Sequence, residues 1–183
     1  VDWLLRAVNL PGGWWLEPSA GEGAIIRAVN ARRPDVKWTA IELREEAMGA
    51  LVRSVAADGR SGVADRDDFL TAAPRYAHIH RHDVVCGNPP YGAAAEHVAR
   101  ALGCAPVVAM LLRLNFLGSQ KRLDFWRRNP ADVYVLSERP SFDGEGTDAT
   151  EYAWFVWTPE SKARGYGHVR VLGPDEGQLS LVG

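Results

Sequence analysis

Hydrophobic positions along this chain switch repeatedly between two spacings. The apolar run Trp14-Trp15-Leu16 ends at Glu17 and meets the turn-rich segment Pro18-Ser19-Ala20-Gly21-Glu22-Gly23, which reads as a strand followed by a loop. Ala24, Ile25, Ile26, Ala28 and Val29 then keep a helical spacing that stops at Pro34, and residues 36–41 form a second apolar strand closed by Glu42. One strand–helix–strand unit is complete by residue 42. The alternation continues with a helix over 45–57, a short strand at Val63-Ala64 and a strand over 83–87. A helix over 93–102, a strand over 106–114 and a basic helix over 120–128 come next. Strands over 133–136 and 152–157 and an edge strand over 168–172 close the pattern, and an amphipathic segment over 3–8 opens it.

Strands separated by helical segments of about ten residues imply right-handed crossovers, so the expected fold is α/β: a doubly wound, mostly parallel sheet. The two late strands have no long helix between them and predict an antiparallel C-terminal hairpin at one edge. Residues 139–150, with Pro140, Gly144 and Gly146, read as a mobile loop carried by that hairpin. At 183 residues, 46% hydrophobic and 24% charged, the chain fits one globular domain, with no separate large target-recognition domain. A net charge of -2 excludes a wholly basic coat for nucleic acid, so any polyanion site must be a local patch. No apolar run approaches the roughly 20 residues of a membrane span. The opening residues have neither the shape of a signal peptide nor an initiator Met, so the chain reads as trimmed, soluble and cytoplasmic. Cys86 and Cys104 are too few for a disulfide framework or a zinc site, and Cys86 reads as a small buried residue.

In an open α/β sheet, ligands sit beyond the carboxyl ends of the strands. The unusual sequences of this chain fall there: 17–23, Glu42, Asp67-Asp68-Phe69, and Asn88-Pro89-Pro90-Tyr91. Gly21 and Gly23 let the backbone approach a ligand closely. Glu42 follows Gly23 by 19 residues, near the interval of about 20 expected for an acid on a ribose. That favours a cofactor containing adenosine, while the absence of a third glycine argues against nicotinamide and flavin dinucleotides.

Glu17-Pro18-Ser19-Ala20-Gly21-Glu22-Gly23 followed by Asn88-Pro89-Pro90-Tyr91 resembles the S-adenosylmethionine-dependent amino-methyltransferases, above all the adenine-specific DNA methyltransferases. The order of motifs carries the resemblance over about residues 10 to 160. It implies a Rossmann-like methyltransferase domain with S-adenosyl-L-methionine as cofactor. Glu17, Pro18, Ser19, Ala20 and Gly21, with Gly23, would then hold the methionine end. Glu42 and Leu43 would meet the ribose, Asp68 and Phe69 the adenine, and Asn88 would touch cofactor as well as target. Asp68 also reads as a cap for a following helix, with Asp67 as the contact instead. The family usually carries a Thr-Pro segment before the first strand, and here Asp2 and Trp3 are the residues in place to substitute for it.

An exocyclic amino nitrogen is conjugated with its ring and is a poor nucleophile until its lone pair is localised. The Asn88 side-chain carbonyl and the Pro89 backbone carbonyl can each accept one amino N–H bond, steering the nitrogen toward a tetrahedral shape. Pro89 and Pro90 hold the preceding residues extended, which keeps those acceptors in place. Tyr91 offers a ring on which a flipped base can stack, worth about 1–3 kcal/mol. No metal and no covalent intermediate is needed.

On the target side, Arg113, Lys121, Arg122, Arg127 and Arg128 are candidates for phosphate contact, Phe116 for stacking or wedging, and Trp126 for a nucleic-acid surface. His78, His80 and His82 would share one face of an extended segment, but no Cys or carboxylate completes a metal site beside them, and a polar approach to the next strand accounts for them. The expected partner is DNA, methylated on adenine by a monomeric enzyme away from any membrane. RNA or a protein glutamine amide poses the same lone-pair problem and stands as the alternative substrate. A catalytically silent nucleic-acid-binding partner is the alternative from another class.

Overall fold

Period-two alternation within nearly continuous apolar strands decides the layering, because successive side chains leave a strand on opposite faces. The computed structural model describes residues 1–79, 82–138 and 150–175. Its strands are β1 (Gly13–Glu17), β2 (Val36–Glu42), β3 (Gly62–Arg66), β4 (Val84–Gly87), β5 (Val107–Arg113), β6 (Asp132–Leu136), β7 (Tyr152–Trp157) and β8 (Val169–Leu172). Trp15, Trp38, Val84, Cys86, Ala109 and Trp154 pack into one hydrophobic cluster. Their neighbours Leu16, Ile41, Val85, Met110, Phe155 and Trp157 pack into another on the opposite face.

Helices α1 (Asp2–Ala7), α2 (Ala24–Asn30) and α3 (Glu45–Val55) contribute Leu4, Ile26 and Leu51 to the first cluster. Helices α4 (Phe69–Ile79), α5 (Ala94–Ala101) and α6 (Leu123–Arg128) contribute to the second through Phe69, Val98 and Phe125. A short α7 (Pro159–Arg164) follows β7. Among the described residues no helix is long and apolar enough to cross a membrane.

The eight strands run in the order β3-β2-β1-β4-β5-β7-β6-β8. From β3 to β5 all pairings are parallel. The chain winds outward from β1 to β3, then returns to lay β4 on the other side of β1, so the order reverses between β1 and β4 and a crevice opens at their carboxyl ends. The expected hairpin is antiparallel, with Val133 opposite Phe155, but it is not an edge. Strand β7 inserts between β5 and β6 and is buried at all six positions. Its run Tyr-Ala-Trp-Phe-Val-Trp has no polar face to turn to water, which excludes it from an edge. The edge is β8, parallel to β6, with Val169 and Val171 exposed.

Two helices escape the sequence pattern. Pro74 sits inside α4 and masks it, while α7 is announced by a capping box between Thr158 and Ser161 with Pro159 in the first turn. The basic segment 120–128 divides into a 3₁₀ turn at Gln120–Arg122 and α6. His78 belongs to α4 and so does not share an extended face with His82; His80 lies outside the described residues, as does most of the 139–150 loop. His82 is buried, with Nε2 3.0 Å from the Thr39 hydroxyl.

Two aromatic residues expected at a nucleic-acid surface are engaged with the core, Phe116 as a buried member that also lines a small pocket beside Tyr91, and Trp126 as a half-buried ring packed against it. Phe116 is buried and meets Trp126 and Phe155 edge-on at 5.6 and 5.7 Å between ring centres. Trp126 stacks on Trp157 at 6.0 Å with the planes 11° apart. A β7 that presents only aromatic and aliphatic side chains draws both rings inward. Phe155→Ala, at the centre of this cluster, is expected to lower unfolding free energy by about 3–5 kcal/mol in urea denaturation. Arg127→Ala, which removes only an exposed pair with Asp124, should stay within about 0.5 kcal/mol of the parent protein.

Candidate active site

The crevice beyond β1 and β4 is a cleft of about 730 Å³, within the roughly 300–1,000 Å³ typical of ligand pockets. Most residues expected at a site converge on it: Pro18, Ser19 and Gly21 from the loop after β1, Glu42 and Leu43 from the end of β2, Asp68 and Phe69 from the start of α4, and Asn88 to Tyr91 from the end of β4. Glu17 and Ala20 are not at its surface. Glu17 is only 2% exposed, and Ala20 spends its N–H on the Ile41 carbonyl at 2.9 Å.

The loop after β1 is tied down on the side of β2 and α3. The Gly21 N–H donates to Glu42 Oε2 at 2.7 Å, and the Glu22 carbonyl accepts from Arg27 Nη1 at 2.6 Å and from the Ser54 hydroxyl at 3.0 Å. Gly23 turns the chain into α2 with φ +82°, and a Cβ there would come within 2.6 Å of Ser54 Cβ. On the other side, Pro18 lies against β4 so closely that a Cβ on Gly87 would meet its Cδ at 3.1 Å. Two loops from neighbouring strands are thus held in contact without intervening side chains.

Two carboxyls at this edge are set apart by their surroundings. Burial would raise the Glu42 carboxyl, but the Arg44 N–H and Nε, each 2.9 Å from Oε1, and the Gly21 N–H more than offset it and hold the group below its usual value. Glu17 has the opposite fate. Burial first, and the Glu42 charge second, push it well above the usual value, with Arg27 only partly opposing them. Glu17 Oε2 is buried with no hydrogen-bond partner among the described residues.

At the end of β4, Asn88 Oδ1 is also buried without a hydrogen-bond partner among the described residues. Pro90 is extended at φ −55°, ψ 126°, and Tyr91–Ala93 makes a 3₁₀ turn into α5. The Tyr91 phenol is pushed upward by burial and by its hydrogen bond with Tyr152, against the Asn88 side chain and Arg113, which lower it. The Arg113 guanidinium lies 4.4 Å over the Tyr91 ring and Tyr152 packs at 5.7 Å, so Tyr91 is fixed with one face covered and is not an open platform.

Other expectations part here. Asp68 Oδ1 accepts the Leu70 N–H at 3.0 Å, the cap reading, while Asp68 still lines the cleft. Asp67 also lines it, but its carboxylate pairs with Arg75 at 3.0 Å and accepts the Asp68 N–H at 2.8 Å. Asp2 is engaged with Arg32 and Arg6, and neither Asp2 nor Trp3 reaches the cleft.

The basic residues do not form one patch. Arg113, Asn115 and Arg122 line a small pocket of about 180 Å³ beside Tyr91. There Arg122 braces the 114–118 turn, with Nε 2.9 Å from the Phe116 carbonyl and its guanidinium 4.7 Å over the Phe116 ring. Lys121 is exposed. Arg127 and Arg128 sit at the far end of α6, next to Asn129, whose carbonyl accepts from Trp157 where β7 pairs with the start of β5. That is the opposite edge of the sheet.

Sequence reasoning passed over His97 and Arg44. His97 occupies the buried stripe of α5 with Ala94, Val98 and Ala101, at the spacing of an apolar helix face, and a His on such a stripe was its only signal.

No protein-family profile matches the chain, and no curated protein does. Solved structures do. A protein from Agrobacterium tumefaciens described as a predicted O-methyltransferase is similar at a TM-score of 0.65 and 16% identity, over 96% of this chain and 94% of that one. TrmK from M. capricolum, solved with S-adenosyl-homocysteine, is similar at 0.58 and 12%, over 91% and 69%. An rRNA methylase from Streptococcus thermophilus is similar at 0.55 and 12%, over 86% and 92%. The fold is therefore the α/β Rossmann-like fold of these methyltransferases, mixed in its C-terminal strands.

The Glu17 carboxyl binds its proton more tightly folded than unfolded, so its linkage lowers stability as pH climbs from the unfolded value toward the raised folded one. Glu17→Gln removes that penalty. In the ligand-free protein its Tm at pH 7.5 should exceed the parent's by about 3–6 °C. Calorimetric scans at falling pH should show the gap closing below about pH 4.

Proposed function

We propose that this chain transfers a methyl group from S-adenosyl-L-methionine to the exocyclic amino nitrogen of a flipped nucleobase, adenine in DNA being the target. The observation that carries the reading is a pair of buried acceptors without donors among the described residues, Asn88 Oδ1 in the cleft and Glu17 Oε2 buried directly before the Pro18–Ser19 wall of that cleft, at the ends of adjacent strands. A buried acceptor left unpaired costs about 1–3 kcal/mol, and each here matches a donor of the reaction, an ammonium for Glu17 and an amino group for Asn88.

The residues present fit the cofactor. Glu17 would meet the ammonium of its methionine end, Glu42 Oε2 has one lone pair left for a ribose hydroxyl, and Leu43, exposed in the cleft, with Phe69 and Asp68 would hold the rest of the adenosine. When bound, the cofactor supplies a methyl group activated on a sulfonium.

The chain's own residues do the rest. Asn88 Oδ1 and the Pro89 carbonyl each accept a hydrogen bond from one amino N–H, which localises the nitrogen lone pair and stabilises the positive charge that develops on it. The two prolines keep these acceptors from rotating away. Tyr91, with Arg113 over one ring face and Tyr152 tilted beside it, would offer its other face to a base. The surplus proton leaves to water after transfer, so no side-chain base is required. Recognition falls to the loops at the carboxyl edge, Arg113 and Arg122 included, within a single domain.

RNA is a second reading, and a specific observation favours it: similar folds include a protein named as an rRNA methylase. Labelled cofactor offered with DNA, RNA or a polypeptide separates the cases. Label in DNA adenine is expected, label in RNA selects the second reading, and label in polypeptide alone rejects the nucleobase. Asn88→Ala should lower kcat by about 10²–10³-fold while the Kd for cofactor, read by titration calorimetry, changes by less than about threefold. Equal loss of both contradicts the role given to Asn88.

A further inference from the structure

The loop after β1 is bonded to β2, α2 and α3 at several points, but among the described hydrogen bonds only one joins it to the half of the molecule that carries Asn88 to Tyr91. That bond runs from Ser19 Oγ to His97 Nε2, 3.2 Å across a sequence separation of 78 residues. His97 is buried on α5, the helix that leaves the Asn-Pro-Pro-Tyr corner through a single 3₁₀ turn. Its other nitrogen, Nδ1, lies 3.0 Å from the Ala93 carbonyl in that turn. A carbonyl can only accept, so Nδ1 carries the proton toward Ala93 and Nε2 is an acceptor for the Ser19 hydroxyl, whose single proton is shared between Nε2 and the Pro18 carbonyl 2.8 Å away. The ring face lies against Phe69, 5.7 Å between centres and 33° between planes. One side chain therefore touches the cofactor loop, the aromatic residue expected at the cofactor adenine, and the base of the catalytic corner.

We propose that His97 is a positioning residue that clasps the loop holding the methyl donor to the corner holding the acceptor, and so sets both cofactor affinity and the alignment of transfer. The proposal rests on the methyltransferase reading. In-line transfer between two bound groups depends on their relative placement, and a shift of about 1 Å can cost as much as 10²-fold in rate. Pro18 against Gly87 supplies contact but no directional bond. The Ser19–His97 bond supplies direction.

The test is a double-mutant cycle on the full chain. Ser19→Ala and His97→Phe should each weaken S-adenosyl-L-methionine binding by about five- to tenfold, the worth of one hydrogen bond, and lower kcat, with the KM for nucleic acid unchanged. The double variant should be no worse than the worse single one. His97→Gln, which restores a polar group within reach of Ser19, should recover most of the cofactor affinity. Losses that multiply in the double variant, or a folded His97→Phe protein that binds cofactor and turns over like the parent, overturn the clasp. Should His97→Phe fail to fold, the same cycle is run with His97→Gln and Ser19→Ala, and parent-like affinity in Ser19→Ala alone overturns it. Absence of cofactor binding by the parent protein is a different result: it removes the methyltransferase reading itself.

Discussion

The cleft depends on the parallel pairing of β1 with β4. Trp15 opposite Val84 and Leu16 opposite Val85 bring two strand ends, otherwise far apart in sequence, to one interstrand spacing, about 4.8 Å. Because both strands run the same way, both deliver their following loops to the same edge. Glu17 ends one and Asn88 follows the other. Asn88 lines the cleft, and Glu17 is buried directly before the Pro18 and Ser19 that line it, each with a buried side-chain oxygen that has no hydrogen-bond partner among the described residues.

Glu17 also lies near the Glu42 charge, and the surroundings divide the cost of the two carboxyls unequally. Glu42 takes the donors, Gly21 and Arg44, and is held charged. Glu17 is left with burial and a neighbouring negative charge. The same loop that stabilises one carboxylate denies donors to the other, so the glycine turn is both the fastening of the site and the source of its unmet need. Destabilised groups of this kind are what a binding cleft retains at the expense of the ligand-free fold.

Away from the cleft, apolar burial overrides surface chemistry. Phe116 and Trp126 belong to residues that suit a nucleic-acid face, yet Phe155 and Trp157 on a fully buried β7 draw Phe116 into the core and hold the half-buried Trp126 against it. The charged members of the segment then separate, Arg113 and Arg122 beside Tyr91 and Arg127 and Arg128 at the opposite edge. Tyr91 changes from an open platform to a clamped ring for the same reason: its neighbours on β5 and β7 arrive from distant parts of the chain.

Local patterning determined a good deal of this protein. Apolar runs ended by Glu17, Glu42 and Gly87 placed three strands of the parallel half, the helical spacing of 24–29 and 45–57 placed two of its helices, and the Gly21–Gly23 turn and the Asn-Pro-Pro-Tyr corner marked the edge where a site belongs. These are readable because strand period, turn chemistry and proline restriction act within a few residues. The insertion of β7, the fates of Phe116, Trp126 and Tyr91, and the contact between Ser19 and His97 were decided by tertiary structure alone. Each depends on which distant segment lies opposite, and no local preference of a side chain encodes its partner across the sheet.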